Sequence, residues 1–312
     1  MSAYNSAKYI GESILSVLNQ TLKDWELIVV NDCSTDNTGQ IVKSYSYKDN
    51  RIKLIDNETN LQPAISRNKA LTEAKGEYIA VLDSDDVCMP DRLELQSAYL
   101  DKNPEVSLVG CAAEIINDKG EITGRKKPVI SFDRLKFELI AKNSIVHSGV
   151  LYRKSIMDKV GGYDNNYLHS EDYKLYSDLI KTSKITNLPN FLIKYRHVPG
   201  AISIATPTRK IQWDHALAIG FENISNYIQL PKDKAHELIN TLNNKGLGVK
   251  SILSSIKTYG NLTRAYVAKE GLDTNQAQQI WNSYNSNKKL LLTRYVKSKI
   301  PWVIKAIKSF QN

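Results

Sequence analysis

The chain has 312 residues, 42% of them hydrophobic, and its 42 Lys and Arg against 33 Asp and Glu give a net charge of +9. That is enough chain for one large α/β domain with an appendage, or for two domains. No stretch approaches the ~18 apolar residues of a spanning helix, and no apolar run follows the first residues as in a secretory leader, so a cytoplasmic protein, neither integral nor secreted, is predicted.

In chain order, Ser6 to Gln20 places Ile10, Ile14, Val17 and Leu18 on one face at helical spacing. Glu26 to Asn31 reads as a strand, and the polar turn from Asp32 to Gly39 opens a helix carrying Ile41 and Val42. Arg51 to Ile55 predicts a third strand, Pro63 to Lys75 a helix carrying Arg67, and Tyr78 to Leu82 a buried strand led in by Gly76. Pro90 and Asp91 open the next helix, which runs to Asn103. This βαβαβ rhythm implies a parallel sheet with helices on its faces. Val106 to Asn117 and Glu121 to Thr123 flank the turn Asp118-Lys119-Gly120 and suit a β-ribbon. Phe132 to Lys142 is helical, Gly149 to Arg153 strand-like, and Gly161 to Asp164 a glycine loop, followed by a helix from Glu171 to about Lys181 and a strand from Phe191 to Arg196. From Thr208 the pattern is helical throughout, over 208–228, 232–245, 249–270 and 274–310. The expected organisation is an α/β domain over 1–205 and a helical, basic region over 206–312.

Asp83, Asp85 and Asp86 fall where a predicted strand runs out, the edge at which open α/β sheets bind ligands. Carboxylates this close repel one another and need a cation, basic partners or open water. A hard divalent ion is the sharpest of these: Mg²⁺ uses only one or two carboxylates beside water and substrate phosphates, which Asp83-Ser84-Asp85 can supply. The plainer alternative is a strand-to-helix turn, for which Asp and Ser are common residues. Asp32 lies at a strand's carboxyl end in the same way. The net positive charge predicts an anionic partner: nucleic acid, a phosphorylated substrate or an anionic membrane surface. Lys and Arg do not cluster with aromatics on one face of residues 1–200, so nucleic acid has no support there. No G-x-G-x-x-G follows a strand, and Gly246-Leu-Gly-Val-Lys-Ser lacks the order of a P-loop. Cys33, Cys88 and Cys111 have no paired spacing for disulfides or zinc and read as small buried residues.

Taken together, Ala3-Tyr4-Asn5, Ser16 to Thr21, Glu26 to Thr38, Asn60 with Arg67-Asn68, Leu82 to Asp86, Gly161 to Asp164, Ser170 to Tyr176 and Tyr195-Arg196 resemble glycosyltransferase family 2 over residues 3 to about 203. The resemblance implies a GT-A fold, an α/β architecture with a mostly parallel sheet, here followed by the α-helical appendage. It implies an inverting, metal-dependent enzyme that moves a sugar from a nucleotide sugar, most simply a UDP-sugar, to a saccharide or lipid-linked saccharide acceptor in surface polysaccharide synthesis. On this resemblance the donor meets Tyr4, Asp32, Arg67, Asp83 and Ser84, with Asp32 accepting from a uracil N–H. Asp85, with Asp83, would ligate Mn²⁺ or Mg²⁺, and Asp172, supported by Glu171, would be the catalytic base. His147 and the 161–164 loop look like acceptor-side elements. The alternative is a non-catalytic, sugar-nucleotide-binding relative.

The sequence departs from the family pattern in places. The run of about five apolar residues that forms the family's first strand is missing ahead of Tyr4, so the sheet is expected to lack a strand. Asn31 stands where Asp is usual, and His197 sits one position early after Tyr195-Arg196. The end of the chain is basic: Lys288 to Asn312 holds seven cations and no acid, with Leu292, Val296, Ile300, Val303, Ile307 and Phe310 at near-helical spacing around Pro301. That pattern suits peripheral attachment to an anionic membrane surface, on its inner face; the alternative is a packed helix with a solvated basic side.

Overall fold

The structure is a computed structural model that describes residues 1–197, 206–245 and 248–299. The chain forms two compact units. One comprises Met1–Phe132 and Ser144–His215; the other comprises Asp133–Asn143 and the chain from Ala216 onward.

The first unit begins with a parallel sheet of three strands, β1 (Ser2–Ala3), β2 (Leu27–Asn31) and β3 (Ile52–Asp56). They alternate with α1 (Ile10–Leu18), α2 (Thr38–Ser46) and α3 (Gln62–Glu73). Every residue of β2 is buried, as a Leu-Ile-Val-Val run covered on both faces requires. Its register pairs Val30 with Ser2 and Leu54 with Val29. Ile10, Ile14 and Val17 of α1 and Val42 of α2 pack against this sheet as their spacing predicts. Pro63 sits in the first turn of α3, where its missing N–H costs nothing.

The second sheet is mixed and has six strands. In chain order these are β4 (Tyr78–Ala80), β5 (Val87–Cys88), β6 (Val106–Ile116), β7 (Ile122–Lys126), β8 (Leu151–Arg153) and β9 (Lys184–Arg196), interspersed with α4 (Arg92–Lys102), α5 (Phe132–Leu139), α6 (Lys154–Val160) and α7 (Glu171–Thr182). The spatial order is β4-β8-β6-β9-β5, with the expected ribbon strand β7 on β6. Only β6 and β9 run parallel; β4 lies antiparallel on β8, with Ile79 opposite Tyr152. Sequence rhythm predicts β4 as the next strand of one continuous parallel sheet. It pairs instead with β8, whose main chain satisfies it as far as the bond from Val81 N–H to Val150 O at 3.0 Å.

Between the two sheets lies a cavity of about 740 Å³, walled by Leu27 and Ile28 of β2, Ala70 and Leu71 of α3, and Ile79 and Val81 at β4. The strand end before Asp83 is held from the opposite side by Arg92, in the first turn of α4. Arg92 is fully buried and donates to Val81 O at 2.8 Å and Val150 O at 3.0 Å, while its Nε meets Gln96 Oε1 at 3.0 Å. Gln96 donates in turn to Val109 O and Gly149 O, so a polar pair on one helix stitches three strand segments where an apolar residue would leave carbonyls unmet.

In the second unit α5 packs with α9 (Lys232–Leu242), α10 (Val249–Glu270) and α11 (Thr274–Lys299), and the unit also takes in α8 (Thr206–Ser225) from Ala216 onward. Phe137 of α5 meets the rings of Tyr259 and Tyr266 of α10 at 5.5 and 5.0 Å, and Glu270 takes both Lys136 and the Tyr227 hydroxyl. A Cβ on Gly220 would lie 2.7 Å from Ile239 Cδ1, so this glycine sets the close approach of α8 and α9. No helix among the described residues is long and apolar enough to cross a membrane. The expected basic stripe continues past α11 into residues 300–312, which lie outside the described residues.

The cavity predicts a measurable gain from filling it. Extending the chain ahead of Met1 by about five apolar residues that can lie between β2 and β4 is expected to raise Tm by roughly 5 °C or more, since each kcal/mol moves a unit of this size by about 2–4 °C. An unchanged Tm in calorimetry would show that the cavity is neutral for stability.

Candidate active site

The polar loops that follow β1, β2, β3 and β4 meet at the carboxyl ends of their strands. The loop after β1 turns at Asn5, whose φ of 48° is tolerated by Asn, and its side chain accepts from Thr35 N–H at 2.9 Å. Ser6 N–H donates to Thr38 Oγ1 at 2.8 Å, and Ser6 and Ser84 share a hydrogen bond of 2.7 Å between their hydroxyls. Tyr4 is exposed beside them. Asp32 is buried, and its Oδ1 accepts from Asn57 Nδ2 at 2.7 Å and from Leu61 N–H at 2.8 Å. Asn57 also donates to Ser66 and accepts from Lys69, so the loop after β3 is built around the Asp32 carboxylate. Asn31 donates to Asp56 Oδ1 at 2.7 Å. A carboxylate at position 31 would face Asp56 with like charge, which accounts for the amide there. Cys33 departs from expectation: its φ is 61° and it is partly exposed in this turn, whereas Cys88 and Cys111 are buried.

The carboxylate loop after β4 is organised by Arg67 of α3. Its Nη2 donates to Asp83 Oδ1 at 3.0 Å, and its Nη1 makes a short contact with Glu171 Oε1 at the start of α7. Burial opposes the Arg67 charge, but Asp83 and Glu171 outweigh it and keep the guanidinium ionised. Burial would likewise raise Asp83, yet Arg67 holds its carboxyl below the usual range. Ser148 receives the Asp83 N–H at 3.0 Å. Asp85 is pushed up to about 6 by burial and then by Asp83, the like-charge strain expected of the cluster. Asp86 turns inward: fully buried, it accepts the Arg196 N–H at 2.7 Å through Oδ1, while Oδ2 has no partner. Glu171 Oε2 is a second buried oxygen without one.

Asp172 follows Glu171 in the first turn of α7 and is pushed up to about 6 by burial and by the Glu171 charge. Its Oδ1 accepts the Tyr173 N–H at 2.7 Å. His147 lies behind the site rather than facing it. Nδ1 is 2.6 Å from the Tyr176 hydroxyl and Nε2 is 3.2 Å from that of Tyr163, and burial, then Arg67, lowers its pKa to about 3. Both ring nitrogens are engaged, so this neutral imidazole braces two tyrosines. The Gly161 to Asp164 loop is pinned by Asn68, which donates to Tyr163 O at 2.8 Å and accepts Tyr163 N–H at 2.8 Å. Gly162, with φ of 82°, lies so close that a Cβ would sit 2.5 Å from Asn68 Oδ1. His197 is exposed, with its ring edge-on to Tyr195 at 5.2 Å. Among the described residues no three His, Cys, Asp or Glu side chains converge as a complete metal cage.

A family model, glycosyl transferase family 2, matches residues 1–161. The chain belongs to that family. A glucosyltransferase of Escherichia coli, named as transferring from UDP-Glc to α-D-GlcNAc-diphosphoundecaprenol, is 32% identical over 77% of this chain and 89% of its own. An uncharacterized glycosyltransferase of Methanocaldococcus jannaschii is 37% identical over 63% of this chain and 69% of its own. Two further curated relatives are spanned over 63% and 58% of their length. The fold is shared with Staphylococcus aureus TarS in complex with UDP-GlcNAc, at TM-score 0.59 and 20% identity over 95% of this chain and 90% of that one. It is shared also with a Pyrobaculum calidifontis mannosyltransferase in complex with GDP-Man and Mn²⁺, at TM-score 0.55 and 17% identity over 95% and 84%.

As a family 2 glycosyltransferase, the protein carries Asp83 and Asp85 on one element and Glu171 and Asp172 on another, and Arg67 joins the two. Arg196, singled out with Tyr195 in the sequence, completes the arrangement with Asn57 and Ser148, which the sequence reading did not pick out. Asn57 had a readable signal, since it follows the third strand as Asp32 follows the second and Asp83 the fourth; Ser148 had none. Replacing Arg67 by Leu leaves Asp83 and Glu171 without their cation, and a loss of about 3–5 kcal/mol is expected. Urea unfolding of Arg67→Leu measures it; a loss under ~1 kcal/mol would show that solvent, not Arg67, supports the two carboxylates.

Proposed function

We propose that the protein transfers a sugar with inversion from a UDP-sugar to a lipid-linked saccharide in surface polysaccharide assembly, with a divalent cation at Asp85. The observation that carries this reading is the ion pairing of Arg67 with both Asp83 and Glu171, which gathers the carboxylate loop and the start of α7 into one site. Asp32, buried with Oδ1 already committed to Asn57 and Leu61, retains Oδ2 for a nucleobase N–H. The relative that acts from UDP-Glc on a diphosphoundecaprenol-linked sugar supports the donor and acceptor class.

The residues present fit a divalent cation. Asp85 and Asp83 are hard oxygen donors set in mutual repulsion, and Mg²⁺ needs only one or two carboxylates beside water and diphosphate oxygens. The fold neighbour with GDP-Man and Mn²⁺ points the same way. When bound, the cation would neutralise charge on the departing diphosphate. The protein's own part is to orient the donor and to take a proton. The acceptor hydroxyl oxygen bonds to the anomeric carbon as the bond from that carbon to the diphosphate breaks, its electron pair leaving with the diphosphate. The hydroxyl proton passes to Asp172. The neighbouring Glu171 is held by Arg67 and serves to position. The basic end of the chain, with Lys288, Lys289 and Arg294 on α11, supports peripheral attachment to anionic lipid near such an acceptor.

Two measurements test the reading. Asp172→Asn is expected to cut turnover by roughly 10² to 10⁴ with donor affinity unchanged. In the native enzyme the base must be ionised, so turnover is expected to rise with pH through about 6, the value to which burial brings Asp172. A flat profile from pH 5 to 8 with an active Asp172→Asn would exclude Asp172 as the base and favour a sugar-nucleotide-binding relative without turnover. Asp85→Asn is expected to abolish Mn²⁺-dependent UDP binding in calorimetry while the fold persists; unchanged binding would remove Asp85 from the metal site.

A further inference from the structure

Arg196, the last residue of β9, joins loops that lie far apart in the chain. Its side chain is 1% exposed, and each donor meets a different segment. Nε donates to the Asp85 main-chain oxygen at 2.7 Å, Nη1 to Asn117 O at 3.1 Å, and Nη2 to the Glu12 carboxylate at 2.5 Å. Its own N–H donates to Asp86 Oδ1 at 2.7 Å, and the guanidinium carbon lies 4.6 Å from the centre of the Tyr9 ring. One side chain therefore fastens the carboxylate loop to the start of α1 and to the turn between β6 and β7.

Two features separate this from ordinary packing. The contacts to the loop fall on both sides of its chemistry, on the Asp85 main chain and on the Asp86 side chain. The rigid fork of a guanidinium can satisfy separate acceptors at fixed angles, which the single ammonium of Lys cannot. The Glu12 end of the network is half exposed, so its ion pair is the weaker anchor of the guanidinium and the carbonyl contacts are the stronger ones.

We propose that Arg196 is a positioning residue for the divalent cation: by fixing the main chain beneath Asp85 it sets the geometry in which the 83–86 loop receives metal and diphosphate. This rests on the reading of Asp85 as metal ligand. Residues that hold a ligand in place commonly govern metal affinity by 10- to 100-fold when changed.

The test is Mn²⁺ binding to the full chain in the presence of UDP, followed by electron paramagnetic resonance, with Tm recorded for each variant. Arg196→Lys is expected to weaken Mn²⁺ by roughly tenfold or more. A lower Tm with the Mn²⁺ affinity of the folded protein unchanged would show a merely structural role and overturn the inference. If Arg196→Lys does not fold, Glu12→Gln keeps Arg196 but removes one anchor and is expected to weaken Mn²⁺ by about two- to fivefold; wild-type affinity there overturns the inference as well. Asp85→Asn separates the two levels. Loss of Mn²⁺ in Asp85→Asn with full affinity in Arg196→Lys sinks the role of Arg196 alone, whereas full affinity in Asp85→Asn sinks the metal reading and this inference with it.

Discussion

The first unit depends on one largely buried cation. Arg67 stands between Asp83, at the end of a strand, and Glu171, at the start of a helix more than 80 residues away in the chain. Glu171 could not be held beneath the surface as an anion without a partner, and repulsion between it and the partly exposed Asp83 would drive the two elements apart. With Arg67 between them the repulsion becomes attraction, and the residues on either side of that contact, Asp85 and Asp172, are carried into one site. Burial raises both of the latter, helped by Asp83 at Asp85 and by Glu171 at Asp172, where the pull of Arg67 is too weak to reverse it.

Around this cation the polar residues divide by whether their hydrogen-bonding capacity is used up. Tyr152, Tyr163, His147 and Tyr176 form a continuous line of side-chain hydrogen bonds in which both His147 nitrogens are used, and such a line is scaffolding. Asn68 does the same for the glycine loop, and Asn57 for the loop that carries Leu61. Glu171 and Asp86 differ, since each keeps one buried oxygen without a donor. A buried acceptor left open costs stability unless something else satisfies it, so these two atoms mark where the scaffold stops being self-sufficient.

How far the sequence reaches into this arrangement depends on the range of the forces involved. Periodicity and turn chemistry are local, and the helices carrying Ile10, Val42, Arg67 and Glu171 lie where the apolar spacing puts them. The resemblance on Glu26 to Thr38 and Leu82 to Asp86 likewise led to the right family, because the motifs are short runs whose chemistry is written in consecutive residues. Pairing between strands is not local. Nothing in Tyr78 to Ala80 says that its partner is Leu151–Arg153, and the helix Lys154–Val160 that follows that partner has too little periodicity to announce itself.

The sequence by itself thus determined the α/β class, the carboxylates that end the strands and their membership of one glycosyltransferase family. These depend on residue type and short spacing. Only the tertiary structure decided that the strands divide into two sheets with a cavity between them, that His147 is a brace, that Asp86 points inward, and that Arg67 and Arg196 tie the acidic loop to distant elements. The physical reason is that an arginine's partners are chosen by where folding places carbonyls and carboxylates in three dimensions. Five donors on a rigid fork can be satisfied in many ways, and sequence neighbours do not say which.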